Sequence, residues 1–160
     1  MAENIRPGPI SIDEKSLILD QLGRIAQDKY DEFIVAGGSV HGYDLEKLKG
    51  SLQFKQNPET FDNEYWLQGD DDHWTKIAEY FEYGTGLYNT KRAGKYRAGY
   101  IKPVVAEYMR FVSMKGGKHW VTTDRVKGVH PIFAMEKSIK YIEFKRANIQ
   151  RGIRLRLQNG

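Results

Sequence analysis

The chain has 160 residues, of which 40% are apolar and 29% are charged, and it contains no cysteine. This composition is typical of one globular domain with a modest core, and it excludes a disordered chain and a fold held by disulfides or thiolate-bound metal. No segment reaches the roughly 18 consecutive apolar residues of a membrane-spanning helix, and no secretory pattern opens the chain, so we expect folding in the cytosol.

Charge is divided unevenly along the chain. Residues 1–90 carry 8 Lys and Arg against 17 Asp and Glu, whereas residues 91–160 carry 17 against 4. If the fold keeps these two parts of the surface separate, head-to-tail packing of identical copies brings opposite potentials together. If the fold interleaves them, the surface is a patchwork of both signs. The sequence leaves both outcomes open.

The first ten residues predict an extended N-terminal arm. Pro7 and Pro9 flank Gly8, and this composition disfavours a regular element of the core. The remainder, residues 11–160, is expected to form a single domain.

A long amphipathic helix is predicted after the arm. Ser11 and Glu14 have the spacing of a capping box at a helix N-terminus. Helical periodicity continues for about 22 residues and is expected to end at Gly37-Gly38. The apolar positions are Ile18, Leu19, Leu22, Ile25, Ala26, Tyr30 and Phe33.

Residues 45–68 predict an antiparallel pair of strands around the turn-prone Asn57-Pro58. The next segment, 74–83, is rich in aromatic residues and fits either a short buried helix or a strand, and Gly84-Thr85-Gly86 ends it. The apolar positions of the strand pair are Leu48, Leu52 and Phe54, then Tyr65, Trp66 and Leu67.

The second half of the chain predicts a long basic loop at 88–102 and then a hairpin that turns at Gly116-Gly117. Pro131 suits the first turn of a helix. The alternation of apolar and cationic residues at 153–157 predicts a final strand. The buried face of the predicted helix comprises Ile132, Met135, Ile139 and Ile142.

Two segments resemble sequence motifs of the tail-component or neck protein family of siphophages and related tailed phages. Residues 80–86, Tyr-Phe-Glu-Tyr-Gly-Thr-Gly, look like the family's "YAxxVEYGTG" segment, and residues 126–133, Val-Lys-Gly-Val-His-Pro-Ile-Phe, look like its "VKGxxPxPF" segment. Lys49-Gly50-Ser51-Leu52 and Arg110-Phe111 are similar to two further family patterns. The resemblance extends over residues 11–146 and rests on the order and spacing of the motifs.

This resemblance implies an α+β fold in which a long N-terminal helix and a C-terminal helix pack on a mainly antiparallel sheet, with a hairpin or loop extension at 88–125. It also implies a non-enzymatic subunit without cofactor or metal. Such a subunit forms a six-fold ring in the virion, at the head–tail neck or the tail terminus. Its partners would be copies of itself, head-completion or connector proteins and the tail tube protein, with non-specific contact to packaged DNA.

The motif residues are the first candidate site, either as a loop corner or as a subunit contact. Glycines around Thr85 permit a sharp turn, and Glu82 is expected to accept hydrogen bonds from nearby backbone amides. Pro131 and Phe133 are better explained as a helix start and a core side chain. The candidate residues are Glu82, Gly84, Thr85, Gly86, Pro131 and Phe133.

A second set of candidates is charged. The basic loop suits contact with DNA phosphates, or with acidic residues of a neighbouring copy. The competing function is a small basic nucleic-acid-binding protein, which is supported by tyrosines interleaved with the cations. The residues are Lys91, Arg92, Lys95, Arg97 and Lys102, and the acidic counterparts are Asp70, Asp71 and Asp72.

Enzymatic chemistry finds little support in the sequence. Asp70-Asp71-Asp72-His73 lacks the spacing of a calcium loop and fits a solvated turn better. The four histidines are scattered, and neither a phosphate loop nor a nucleophile elbow is present.

Reversing the charge of the basic loop tests both of its proposed contacts. We expect a variant with four of these cations changed to Glu to abolish ring assembly and tail attachment, because either an acidic neighbour or DNA would then be repelled. The four are Lys91, Arg92, Lys95 and Arg97. Electron microscopy and a complementation assay measure the two effects. Unaltered assembly and attachment would exclude both contacts.

Overall fold

The computed structural model describes residues 8–85, 88, 90, 99–102, 105–113 and 119–159. Within these residues the elements are α1 (Ile12–Val40), a short 3-10 helix (Glu46–Leu48), β1 (Leu52–Asn57), β2 (Asp62–Leu67), α2 (Asp72–Tyr83), β3 (Met109–Ser113), β4 (His119–Thr123) and α3 (Ala134–Asn159). This is a mixed α+β fold with a long N-terminal and a C-terminal helix, which confirms the predicted class.

Helix α1 begins as predicted and continues further. The Ser11 hydroxyl accepts from the Glu14 backbone N–H at 3.2 Å, and Glu14 accepts from the Ser11 N–H at 3.0 Å, which confirms the capping box. The helix then continues through Gly37-Gly38 to Val40, over 29 residues, so its predicted end was wrong. Both glycines are close packing contacts: a Cβ at Gly37 would overlap the side chain of Ile132, and one at Gly38 would approach Leu45.

The core lies along one stripe of α1. Side chains at four-residue spacing are almost fully buried because the 3.6-residue period places them on one face. Helix α3 packs on this helix more extensively than any other element does. The stripe consists of Ile18, Leu22, Ala26, Tyr30 and Ile34.

Strands β1 and β2 form the predicted hairpin, with Phe54 opposite Tyr65 and Leu52 opposite Leu67. Leu48 is buried in the 3-10 helix and is not part of the strand. Polar side chains bind the hairpin to α1: Gln27 Nε2 donates to the Leu52 carbonyl and Asn63 Nδ2 donates to the Leu19 carbonyl, both at 2.8 Å.

Strands β3 and β4 form a second, separate antiparallel hairpin, with Phe111 opposite Val121. The described strands therefore make two two-stranded sheets, and α3 packs mainly on α1. An isolated bridge between Ile101 and Val126 extends the second hairpin at its base. The predicted Gly116-Gly117 turn lies outside the described residues.

The aromatic segment 74–83 is helical and belongs to α2, which settles the alternative that the sequence left open. The chain end was predicted wrongly: residues 153–157 belong to α3 and not to a strand. Ile153 is buried on the core side of this helix, where it continues the stripe of Ile142 and Ile149. The exposed side of this part of the helix carries Leu155, Arg156 and Leu157, whereas Arg154 is half-buried and donates to the Gly8 carbonyl at 3.0 Å. No helix in the described part of the chain is both long and apolar enough to span a membrane.

Glycines in the helices provide a test of how α1 packs against the segment that precedes α3. We expect Gly37→Ala to lower the free energy of unfolding by about 1–3 kcal/mol, because the new methyl group displaces the buried Ile132. Gly152→Ala is the matched control: nothing lies within 4 Å of its Cβ position, and the change should stabilise α3 by about 1 kcal/mol. Urea unfolding followed by circular dichroism measures both, and equal effects of the two changes would contradict the packing.

Candidate functional site

The two motif segments, which are more than 40 residues apart in sequence, lie side by side. The Ile132 N–H donates to the Phe81 carbonyl at 2.6 Å, and the Thr85 N–H donates to the Val129 carbonyl at 3.0 Å. The Thr85 hydroxyl in turn accepts from the Val129 N–H at 2.9 Å. We call residues 81–85 and 129–136 the α2–α3 corner. The sequence resemblance therefore rests on two halves of one compact unit.

Glu82 is the centre of the corner. Its side chain is 1% exposed, and its carboxylate accepts from the backbone N–H groups of Met135 at 2.8 Å and Glu136 at 3.0 Å. These are the second and third residues of α3, so the carboxylate acts as an N-cap supplied by another helix. The prediction that Glu82 accepts from nearby backbone amides is confirmed. The amides that it binds belong to the start of α3.

Burial dominates the electrostatics of this carboxyl group. Desolvation raises the pKa of Glu82 above its usual value, and the two backbone N–H donors partly offset the effect. The fully buried Tyr30 lies nearby, and its pKa is raised by the same desolvation and by the charge of Glu82. The Ser51 hydroxyl is also close to Tyr30, although the Tyr30 hydroxyl has no hydrogen bond to a described residue. A buried polar cluster thus connects α1, α2 and α3.

Gly84 ends α2 in a conformation that favours glycine. Its φ is +75°, and its N–H still donates to the Tyr80 carbonyl at 2.8 Å. A Cβ here would overlap the carbonyl of Tyr88 and touch the Pro131 ring. The sharp turn predicted from Gly84 and Thr85 is therefore present, while Gly86 lies outside the described residues.

Pro131 and Phe133 precede α3 and do not begin it. The helix starts at Ala134, so the placement of Pro131 in its first turn was wrong. Phe133 occupies the cap position with φ +56° and is only partly buried. Because phenylalanine has no capping oxygen, Glu82 supplies the acceptor that this position lacks.

Three rings stack beside the corner. The imidazole of His130 lies 3.5 Å from the ring of Tyr88 and 4.9 Å from that of His41, measured between centroids. His41 is the C-cap of α1, so the stack joins the end of that helix to the corner. No local pattern of residues indicates this contact, because the three residues are distant along the chain.

The acidic run lies away from the corner. Asp71 is the N-cap of α2, and its side chain accepts from the Trp74 N–H at 2.9 Å. Asp70 and Asp72 are exposed beside it. Within the described residues, no group of three or more His, Cys, Asp or Glu side chains is arranged to bind a metal ion.

Of the five cations predicted to contact DNA or a neighbour, the structure describes one. Lys102 is exposed next to the bridge at Ile101. The other four lie outside the described residues, namely Lys91, Arg92, Lys95 and Arg97.

A cleft of about 270 Å³ lies between α1, β2 and α3. Two of its polar residues already have partners: Asn63 donates to the Leu19 carbonyl, and Arg146 donates to the Phe61 carbonyl and faces Asp62 at 3.5 Å. These groups hold the β1–β2 hairpin against the helices.

The exposed apolar side chains of the second hairpin were not predicted from the sequence. We call residues 99–102, 105–113 and 119–128 the hairpin extension. Val105 is 99% exposed, Tyr108 54% and Trp120 64%. The Arg110 guanidinium lies 4.9 Å from the Trp120 ring centroid and that of Arg125 lies 5.3 Å from Tyr100. Strand periodicity can place such residues on one face but does not reveal that no other described helix or strand packs extensively against it.

Comparison with known proteins gave no relative: no protein-family model, no curated protein and no solved structure matches this chain.

The buried carboxylate predicts a pH dependence of stability. Because the pKa of Glu82 is raised in the folded state, the folded protein binds the proton more tightly than the unfolded chain does. The free energy of unfolding should therefore fall as the pH rises from the ordinary glutamate pKa through the raised one. Glu82→Gln should remove this slope and lower stability by about 1–3 kcal/mol, because the amide nitrogen faces a backbone donor.

Glu79→Gln is the matched control, since Glu79 is exposed on the same helix. It should leave both the slope and the stability as they are. Urea unfolding at a series of pH values measures these quantities, and an identical slope in the wild type and Glu82→Gln would contradict the assignment.

Proposed function

We propose that the chain is a non-enzymatic structural subunit of a tailed-phage virion. It forms a ring, six-fold by resemblance, at the head–tail neck or tail terminus, where it completes the tail and joins it to the head. The sequence resemblance supplies this identity, and the proximity of its two motifs in the α2–α3 corner supports it. A set of motifs that serves one structural unit is more specific than the same motifs scattered over a fold.

The hairpin extension is the observation that carries the proposal. Strands β3 and β4 pack on each other, and no other described helix or strand makes more than a marginal contact with them. A two-stranded hairpin is at best marginally stable alone in water. Its exposed Trp120 and Tyr108 are residue types enriched in the buried centres of protein interfaces. A neighbouring subunit in a ring would both cover these side chains and stabilise the hairpin.

The properties of Glu82 favour assembly over turnover of a substrate. The carboxyl group has a raised pKa, which is common at catalytic sites, but each of its oxygens is already bonded to a backbone N–H of α3. Its surroundings therefore explain it as a structural group. In the proposed role the energy comes from apolar burial and charge complementarity between subunits, and no cofactor takes part.

The remaining partners follow from the proposed position of the ring in the particle. They are head-completion or connector proteins on one side of the ring and the tail tube protein on the other. The basic loop at 91–102 would contact either a neighbouring subunit or the phosphates of DNA that passes through the ring. The protein would be made in the host cytoplasm and act in the virion.

One observation favours a second function, non-specific binding of nucleic acid. Two exposed cation–aromatic pairs, Arg110 with Trp120 and Arg125 with Tyr100, lie on the basic hairpin extension. Stacking of bases on such rings and contact of arginine with phosphates is the usual mode of single-strand binding. A monomer that binds free DNA with strong salt dependence would favour this alternative.

Replacing Trp120 by Ala separates assembly from folding. Because the indole lies largely outside the core, stability should change by less than about 0.5 kcal/mol. Ring formation in a particle-assembly reaction should fall at least tenfold, since truncated aromatic anchors of interfaces lose about 2 kcal/mol or more. Electron microscopy of reconstituted particles and a thermal melt measure the two effects.

Trp66→Ala is the control, because that indole is also partly exposed, on β2 of the first hairpin. Undiminished rings in Trp120→Ala would exclude the hairpin extension as a subunit contact. Loss of single-stranded DNA binding by a monomer, with rings unaffected, would favour the second function. Absence of the polypeptide from purified virions, tested by mass spectrometry, would exclude the first.

A further inference from the structure

The face of α1 that points away from the core is acidic. Its exposed residues recur at helical spacing, and Leu17, 50% exposed, lies among them. Arg24 is the only cation on this face and is bonded to Asp20 at 2.8 Å. Asp13 and Asp28 form no ion pair with another described residue. We define the acidic stripe as Asp13, Leu17, Gln21, Arg24, Asp28 and Glu32.

The outward face of α3 has the opposite character. Phe144 is 81% exposed and Leu155 is 52% exposed, each with cations one turn away. Lys140 is bonded to Glu136 at 2.7 Å, whereas Lys137 and Arg151 form no ion pair with another described residue. We define the basic stripe as Lys137, Lys140, Phe144, Asn148, Arg151 and Leu155.

We propose that the basic stripe of one copy docks on the acidic stripe of the next copy and so forms the contact that repeats around the ring. This inference rests on the proposed function as a ring subunit. A ring of identical subunits needs two different, complementary surfaces on each copy. The two stripes meet this requirement, with net charges of +3 and −2 from their own residues.

The dimensions and the composition of the stripes agree. At a rise of 1.5 Å per residue, the acidic stripe is about 28 Å long and the basic stripe about 27 Å. The acidic stripe holds one exposed apolar residue, Leu17, and the basic stripe holds two, Phe144 and Leu155. Apolar residues bordered by charges are the usual arrangement of a protein interface. The two helices already pack on each other through their opposite faces. Docking therefore adds a helix contact without disturbing the core.

A second copy explains more of this surface than nucleic acid does. Phosphate contact would account for Lys137 and Arg151 alone. Binding of nucleic acid would leave the exposed Phe144 and Leu155 without a role, and the acidic stripe would have no role either. The uneven charge of the sequence thus has a place in the fold: its acidic and basic parts supply the two sides of one contact.

The absence of cysteine allows a site-specific test. Gln21→Cys and Asn148→Cys place single thiols at exposed polar positions on the acidic and basic stripes, with no background thiol in the full chain. After mild oxidation, a mixture of the two single variants should give a disulfide-linked heterodimer. Its yield should exceed that of either variant alone by at least tenfold. The double variant should give a ladder of linked oligomers.

Charge reversal is the second arm of the experiment. Lys137→Glu with Arg151→Glu in the Asn148→Cys chain should lower the heterodimer yield at least tenfold. Asp13→Lys with Asp28→Lys in the Gln21→Cys chain should restore it. The matched control is Lys55→Glu with Lys76→Glu in the Asn148→Cys chain. It makes the same charge change at exposed positions outside both stripes and should leave the yield unaltered.

Three results would overturn the interface. The first is a heterodimer yield no higher than that of the single variants. The second is a yield that does not change when the charges of Lys137 and Arg151 are reversed. The third is binding of single-stranded or duplex DNA that depends on these two cations, without any cross-link. If the chain is still found in virion rings, only the interface is wrong. If it is missing from virions, the proposed function is wrong whatever the cross-link yield.

Discussion

The fold depends on a buried carboxylate that begins a helix to which it does not belong. Glu82, near the end of α2, binds the N–H groups of Met135 and Glu136 at the start of α3. The cap position of α3 itself is Phe133, whose side chain offers no acceptor, so Glu82 supplies the one that these two amides use. This bond fixes where α3 starts, and α3 covers the apolar stripe of α1. One side chain of α2 therefore ties the start of the C-terminal helix to α2.

Close backbone approach is the second determinant of the architecture. Phe54 lies against Gly23 and Ile132 against Gly37, in both cases on the surface of α1. Glycine in a helix interior lowers the stability of the helix by about 1 kcal/mol relative to alanine. Here that loss is offset because the missing side chain admits a large apolar one from the hairpin or from the α2–α3 corner. The same two features explain why the corner is compact and why the hairpin extension, which has neither anchor, projects from it.

Local signals in the sequence predicted most elements but not their contacts. The capping box at Ser11, the turn at Asn57-Pro58 and the helical stripe of α1 were all readable, because each depends on residues close together in the chain. Gly37-Gly38 was misread as a helix end, since Ile132, which fills the space beside Gly37, is almost 100 positions away. Residues 153–157 were misread as a strand because alternation over five residues fits a helix with one buried position equally well. The pairing of Glu82 with α3 could be expected only as a general preference for amide donors, not as a cap on a helix more than 50 residues away.

The chain order of α1 and α3 has a consequence during synthesis. Helix α1, which carries most of the core, is synthesised before α3, which covers it. Until residues 134–159 have emerged, the nascent chain holds a long amphipathic helix and a small hairpin, with an uncovered apolar surface. Folding of the domain is thus completed only after α3 has been made, and a chaperone that shields apolar helices would act in this interval.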